Sequence, residues 1–139
     1  MNLPEGALCE VLLADQALVS LIGDRLYSHP APKEADYPLI SYQRISTQPR
    51  RHLNGRSELS GVRIQLSVYA TTSTECATVS ETAQDAADGY QGSANSLDIK
   101  DISVDDSESG GGVLHDEALG IYESIFDVIV TYRREKDGE

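Results

Sequence analysis

The chain has 139 residues, of which 40% are hydrophobic, so one domain with a modest core is feasible and a disordered type is excluded. Its 23 acidic and 11 basic residues give a formal net charge of −12. That argues against generic binding of nucleic acid or anionic lipid, which needs a basic face, and leaves room for a local basic patch.

Residues Pro4 to Ile22 predict helix, with Pro4 in the first turn, where its missing amide costs nothing. Leu8, Val11 and Leu12 form one apolar stripe. Asp15 either caps a second short helix carrying Leu18, Leu21 and Ile22 or lies within one continuous helix, and Gly23 follows as a stop. Asp24 to Asp36, with Pro30 and Pro32, predicts an extended connection in which Arg25-Leu26-Tyr27 adds a short strand. The start Asn2-Leu3-Pro4-Glu5 lacks a charged, signal-like opening, and no apolar run is long enough to cross a bilayer, so neither export nor a membrane is expected.

Leu39 to Ser46 predicts the first firm strand, with apolar residues on both faces. Residues 47–60 break the pattern and predict a projecting loop. They hold Arg50, Arg51, His52, Asn54, Gly55 and Arg56, the one basic cluster of an acidic chain, with Asn54-Gly55 as a turn signal.

The clearest local signal follows. Val62, Ile64, Leu66, Val68 and Ala70 alternate with Arg63, Gln65, Ser67 and Tyr69, as a strand with one dry and one wet face requires. Thr72-Ser73-Thr74-Glu75 then reads as a capping box, so the strand passes almost directly into a helix from about Ser73 to Asp88, with Gly89 as its stop. Cys76, Val79, Ala83, Ala86, Ala87 and Tyr90 share one side of that helix. Gln91 to Ser96 reads as a polar linker and Ile99 to Val104 as a short strand. Residues 105–118, rich in Asp, Ser and Gly, read as a flexible loop. Ile121 to Arg133 is the closing strand, with Tyr122, Ser124, Phe126, Val128, Val130 and Tyr132 on one face, and 134–139 is a frayed tail.

The order helix, strand, strand, helix, strand, strand predicts one α+β domain over 1–139. Its antiparallel or mixed sheet has about four strands, with the N-terminal helices and the main helix packed on one face. Edge strands of such a sheet offer unpaired backbone groups to a partner.

Signals for chemistry are weak. His29, His52 and His115 have no helical i, i+4 ligand partner, and His115-Asp116-Glu117 reads as a solvated loop. The stretch Ser107 to Gly112 lacks the Gly-Lys-Ser/Thr ending of a phosphate loop, and no serine stands in a Gly-x-Ser-x-Gly elbow. Cys9 and Cys76 fall on predicted helices and read as buried free thiols, with a disulfide or a reactive thiol as the alternatives. No catalytic residue, metal or cofactor is expected. The basic cluster Arg50, Arg51, His52, Asn54 and Arg56 reads either as solvated loop or as a docking arm for an acidic surface on a neighbouring copy. This chain carries such a surface in Asp85, Asp88, Asp98, Asp101, Asp105 and Asp106. Unlike patches of that kind meet head to tail and favour a ring.

Four segments, taken in order, resemble the tail completion proteins of long-tailed bacteriophages, which are related in architecture to the tail terminator of lambda-like phages. They are Asp24-Arg25-Leu26-Tyr27, Tyr37 to Ser46, the strand Val62 to Ala70 with the helix ending near Asp88-Gly89, and Gly120 to Arg133. The resemblance implies a virion subunit, assembled in the host cytoplasm, that forms a ring, typically a hexamer, at the head-proximal end of the tail. The ring ends tube polymerisation on the major tail tube protein and presents a surface to the head–tail connector, while DNA passes through its lumen unread. A head–tail connector or stopper of similar size is the alternative within assembly proteins. A small ligand-binding or enzymatic α+β domain is the alternative outside them.

Overall fold

The structure is a computed structural model that describes residues 3–49, 59–105 and 113–134. Two helices open the chain, α1 (Pro4–Leu13) and α2 (Gln16–Ile22). Asp15 separates them: its side chain accepts the Leu18 amide at 3.0 Å, which caps α2, and Gly23 closes α2 at φ 61°. Strands β1 (Leu26–Ser28), β2 (Leu39–Pro49) and β3 (Ser60–Ala70) follow. β3 hands over to α3 (Ser73–Ala87), whose first turn is capped where the Glu75 amide donates to the Thr72 hydroxyl at 3.1 Å. The chain ends in β4 (Gly92–Ala94), β5 (Leu97–Asp105), β6 (Val113–Asp116) and β7 (Ile121–Arg134).

The domain is α+β, as the order of elements predicts, but the sheet holds seven described strands where about four were expected. Their order is β1-β2-β3-β7-β5-β4, with β6 also on β7. Only β1–β2 is parallel. The added strands are short. β1 was foreseen as an addition to the connection. β4 lies in the stretch read as a polar linker and joins β5 through Asn95 and Ser96, both at positive φ, the geometry of a two-residue hairpin turn. β6 lies within the 105–118 stretch read as loop and forms a hairpin with β7. There the Asp116 carboxylate accepts the amides of Ala118 and Leu119, and Gly120 takes φ 67°.

The core sits between one sheet face and the helices. Val62, Ile64, Leu66, Val68 and Ala70 of β3 are buried there beside Phe126, Val128 and Val130 of β7. They meet Leu8 and Leu12 of α1, Leu18 and Ile22 of α2, and Cys76, Val79 and Ala83 of α3. Leu66 stands directly opposite Phe126 in the β3–β7 ladder, so the predicted dry faces of the two strands coincide. The small residues Ala83 and Ala87 bring α3 close to the sheet.

Candidate docking surfaces

Several polar groups hold the sheet together. On the face away from the helices, the Arg63 guanidinium on β3 donates to the Asp127 carboxylate on β7 at 2.9 Å and lies 3.1 Å from the Asp105 carboxylate on β5. Asp105 and Asp127 are directly opposed in the β5–β7 ladder, so one cation sits over two like charges on neighbouring strands. Asp127 is only 5% exposed. The hydrogen bonds that Arg63 donates, to Asp127 first and Asp105 second, push its titration further up.

A second cluster ties α1 to β2. Arg44 makes a two-pronged contact with Glu5, at 2.9 and 2.7 Å. Burial pushes the Glu5 carboxyl up, but the hydrogen bonds and the charge of Arg44, with a backbone hydrogen bond, hold it below its ordinary 4.5. A depressed folded-state value means that the stabilisation is complete above pH 4.5 and is lost as the pH falls through the folded-state value. Glu5→Gln is therefore expected to unfold at lower denaturant than the parent at pH 7. The gap should close as the pH is taken below 4.5, read by urea titrations across that range. A gap that is constant with pH would remove the ionic account of this contact. Beside it, burial first and a Cys9 hydrogen bond second push Tyr42 up to about 12, and burial raises the Cys9 thiol. Cys76 is likewise pushed up to about 11, chiefly by burial, and its Sγ lies 3.5 Å from the Val68 carbonyl. Both cysteines are free and stay thiols at neutral pH, where a thiol is a poor nucleophile.

The predicted docking residues divide. Arg50, Arg51, His52, Asn54 and Arg56 lie outside the described residues. Asp85 and Asp88 are both exposed at the end of α3, so the structure groups them on one surface. The Asp88 carboxylate also accepts the Val104 amide at 3.2 Å, and the Gly89 amide donates to the Ile102 carbonyl at 2.7 Å. The end of α3 thus covers part of the outer edge of β5, and β4 covers another part. Other predicted acids are engaged within the chain: Asp98 with Lys100 and Arg133, and Asp105 with Arg63.

The opposite edge is more open. β1 covers β2 only at residues 40–42, and no other described strand pairs with the outer edge of residues 43–49. A bulge between Arg44 and Ser46 leaves Ile45 out of register and 42% exposed.

One surface feature was not foreseen. The connection between β1 and β2 folds over the sheet face away from the helices, with cis peptide bonds at His29-Pro30 and Tyr37-Pro38. It meets the β6–β7 turn across a groove of about 240 Å³. Leu39, Tyr69 and Ile121 contribute apolar surface, while Asp116 and Glu123 contribute carboxylates. Tyr69 and Glu123 are cross-strand partners and hydrogen-bond to each other. His115, which was read as solvated loop, stacks on Tyr122 at 4.4 Å on β6 and β7. Among the described residues, no group of three or more His, Cys, Asp or Glu side chains is arranged to hold a metal ion. No described helix is long and apolar enough to cross a membrane.

The described surface thus leaves an open strand edge and a groove, features through which a small α+β domain can take a partner. The chain belongs to the tail completion protein gp17 family, whose model matches residues 6–117. Its role is that of a structural tail completion component of a phage-type virion. No curated protein matches the chain. The fold is similar to that of a chain in a solved structure described as "Virion of native gene transfer agent (GTA) particle", with a TM-score of 0.70. The two share 14% sequence identity over 94% of this chain and 92% of the other.

Proposed function

We propose that the subunit acts as a terminator: several copies close into a ring, with a hexamer expected, at the head-proximal end of the tail. There the ring ends polymerisation of the tail tube protein and offers a surface to the head–tail connector. The observation that carries this reading is membership of the tail completion family over residues 6–117. The net charge of −12 suits a lumen through which DNA must pass without being held. No catalytic step, metal or cofactor enters this function. The contact between copies pairs unlike patches, the basic stretch Arg50, Arg51, His52, Asn54 and Arg56 of one copy with an acidic surface of the next. Among the described residues, Asp85 and Asp88 at the end of α3 offer one acidic surface, and the groove carboxylates Asp116 and Glu123 offer another.

Electron microscopy of particles assembled without this subunit tests the role. Tails of irregular length that fail to join heads are expected, whereas tails of fixed length that still join heads would end the terminator reading. The charge contact has its own test. Replacing Arg50, Arg51 and Arg56 together by Glu should abolish head joining while leaving the thermal unfolding of the isolated subunit unchanged. A variant that assembles normally would remove the basic stretch from the interface.

A further inference from the structure

The β2–β3 hairpin carries different chemistry at its two ends. At one end, β2 stops at Pro49 and β3 begins at Ser60, and between them runs Arg50-Arg51-His52-Leu53-Asn54-Gly55-Arg56. That sequence holds one large apolar residue, Leu53, flanked on both sides by cations. At the other end lies the groove built on Leu39, Ser41 and Tyr69. Its rim is acidic: Asp116 and Glu123 line it, and the exposed Glu34, Asp36 and Glu117 adjoin the lining in sequence, against the one lysine, Lys33. Two large apolar side chains are exposed there, Leu119 at 68% and Tyr37 at 38%. An apolar floor with an acidic rim is the complement of an apolar residue between cations.

The groove cannot take the stretch of its own copy. From Ser41 to Pro49 the strand runs eight residues, or about 26 Å at the rise of a β-strand. Leu53 is four residues beyond Pro49 and reaches at most about 14 Å from it. A contact between the two ends of the hairpin is therefore a contact between two copies. It is also directional, since each copy offers its basic end to one neighbour and its groove to the other, and such a contact closes into a ring when the rotation per copy permits.

We infer that the groove between the β1–β2 connection and the β6–β7 turn is the seat for Leu53 and its flanking arginines from the next copy of the chain. The inference rests on the ring reading above and names the surface through which the ring closes. The groove takes the apolar side chain, Asp116 and Glu123 face the arginines, and Leu119 and Tyr37 close over the contact.

Cysteine pairs introduced into the full chain and tested in assembled particles distinguish the outcomes. The variant Leu53→Cys/Leu119→Cys, treated with a short bis-maleimide, should give a ladder of linked subunits on a denaturing gel. Leu53→Cys/Asp85→Cys should give none, and neither should any of the single replacements. A ladder through position 85 equal to or stronger than that through 119 overturns the groove in favour of the α3 acids. No ladder from either pair, in particles whose rings are visible by electron microscopy, also overturns it. Particles in which the subunit forms no ring overturn the ring reading itself, and the groove assignment falls with it.

Discussion

Replacing Arg63 with Met is expected to destabilise the fold by about 3 kcal/mol, the lower end of the range for stranding a buried charge by removing its partner. The reason is Asp127. Its side chain is 7% exposed and accepts a hydrogen bond from Arg63 at 2.9 Å. Without the guanidinium, that carboxylate stays on a covered part of the sheet, opposite the Asp105 carboxylate in the ladder. The Arg63 and Asp105 side chains are 22% and 28% exposed, so water offsets part of the loss and holds the estimate at that lower end. The size of the effect comes from stranding the acid, and the ion pair itself is worth much less. Arg63→Met/Asp127→Leu should therefore recover most of the lost stability, because an apolar pair of similar volume can stand in for a buried ion pair. Urea denaturation of the two variants and the parent checks both statements. A single variant within a few tenths of a kcal/mol of the parent, or a double variant no better than the single, would remove this account of the three-strand contact.

That contact also shows where reading the sequence stops. Arg63, Asp105 and Asp127 are far apart in the chain and share no local pattern. Only the registers β3–β7 and β5–β7 bring them together, and one residue of slippage would send each side chain to the other face. The groove has the same origin, since it joins the 29–39 connection, Tyr69 and the 116–123 turn. By contrast, β3, α3 and β7 were legible because their signals are local and repeated: strict alternation in Val62 to Ala70, a capping box at Thr72, and an apolar face from Tyr122 to Tyr132. β4 and β6 escaped because three or four residues give too little periodicity to read. The signals that could have found them were in the turns. Asn95-Ser96 between two short runs, and Asp116 four residues before Gly120, are each hairpin chemistry. Among the predicted docking residues, Asp85 and Asp88 were legible as exposed acids on one helix end. The backbone task of Asp88, accepting the Val104 amide, depends on where α3 ends against β5, and helical spacing does not encode that.

The largest loss of stability is expected at the centre of the core, where Phe126→Ala should cost about 4 kcal/mol. Phe126 is the largest of the fully buried side chains and lies directly opposite Leu66 in the central β3–β7 ladder. Its neighbours on the strand, Val128 and Val130, are fully buried, and α3 presses on the same face. Two features keep the site from collapsing around an alanine. The ladder β3–β7 is continuous from Ala70–Tyr122 to Ser60–Tyr132, which fixes the backbone on both sides of the gap. The helix above carries alanines at Ala83 and Ala87, which have no longer side chain to move into the space. Most of the cavity should therefore persist, and cavity volume adds to the lost transfer energy. Urea denaturation should show a lower midpoint with an unchanged slope, the signature of lost stability without a change in the surface exposed on unfolding. Phe126→Leu, which restores most of the volume, should recover more than half of the loss. If Phe126→Ala costs less than about 1.5 kcal/mol, close to the bare gain of burying a single side chain, the packing at this position is looser than the structure has it.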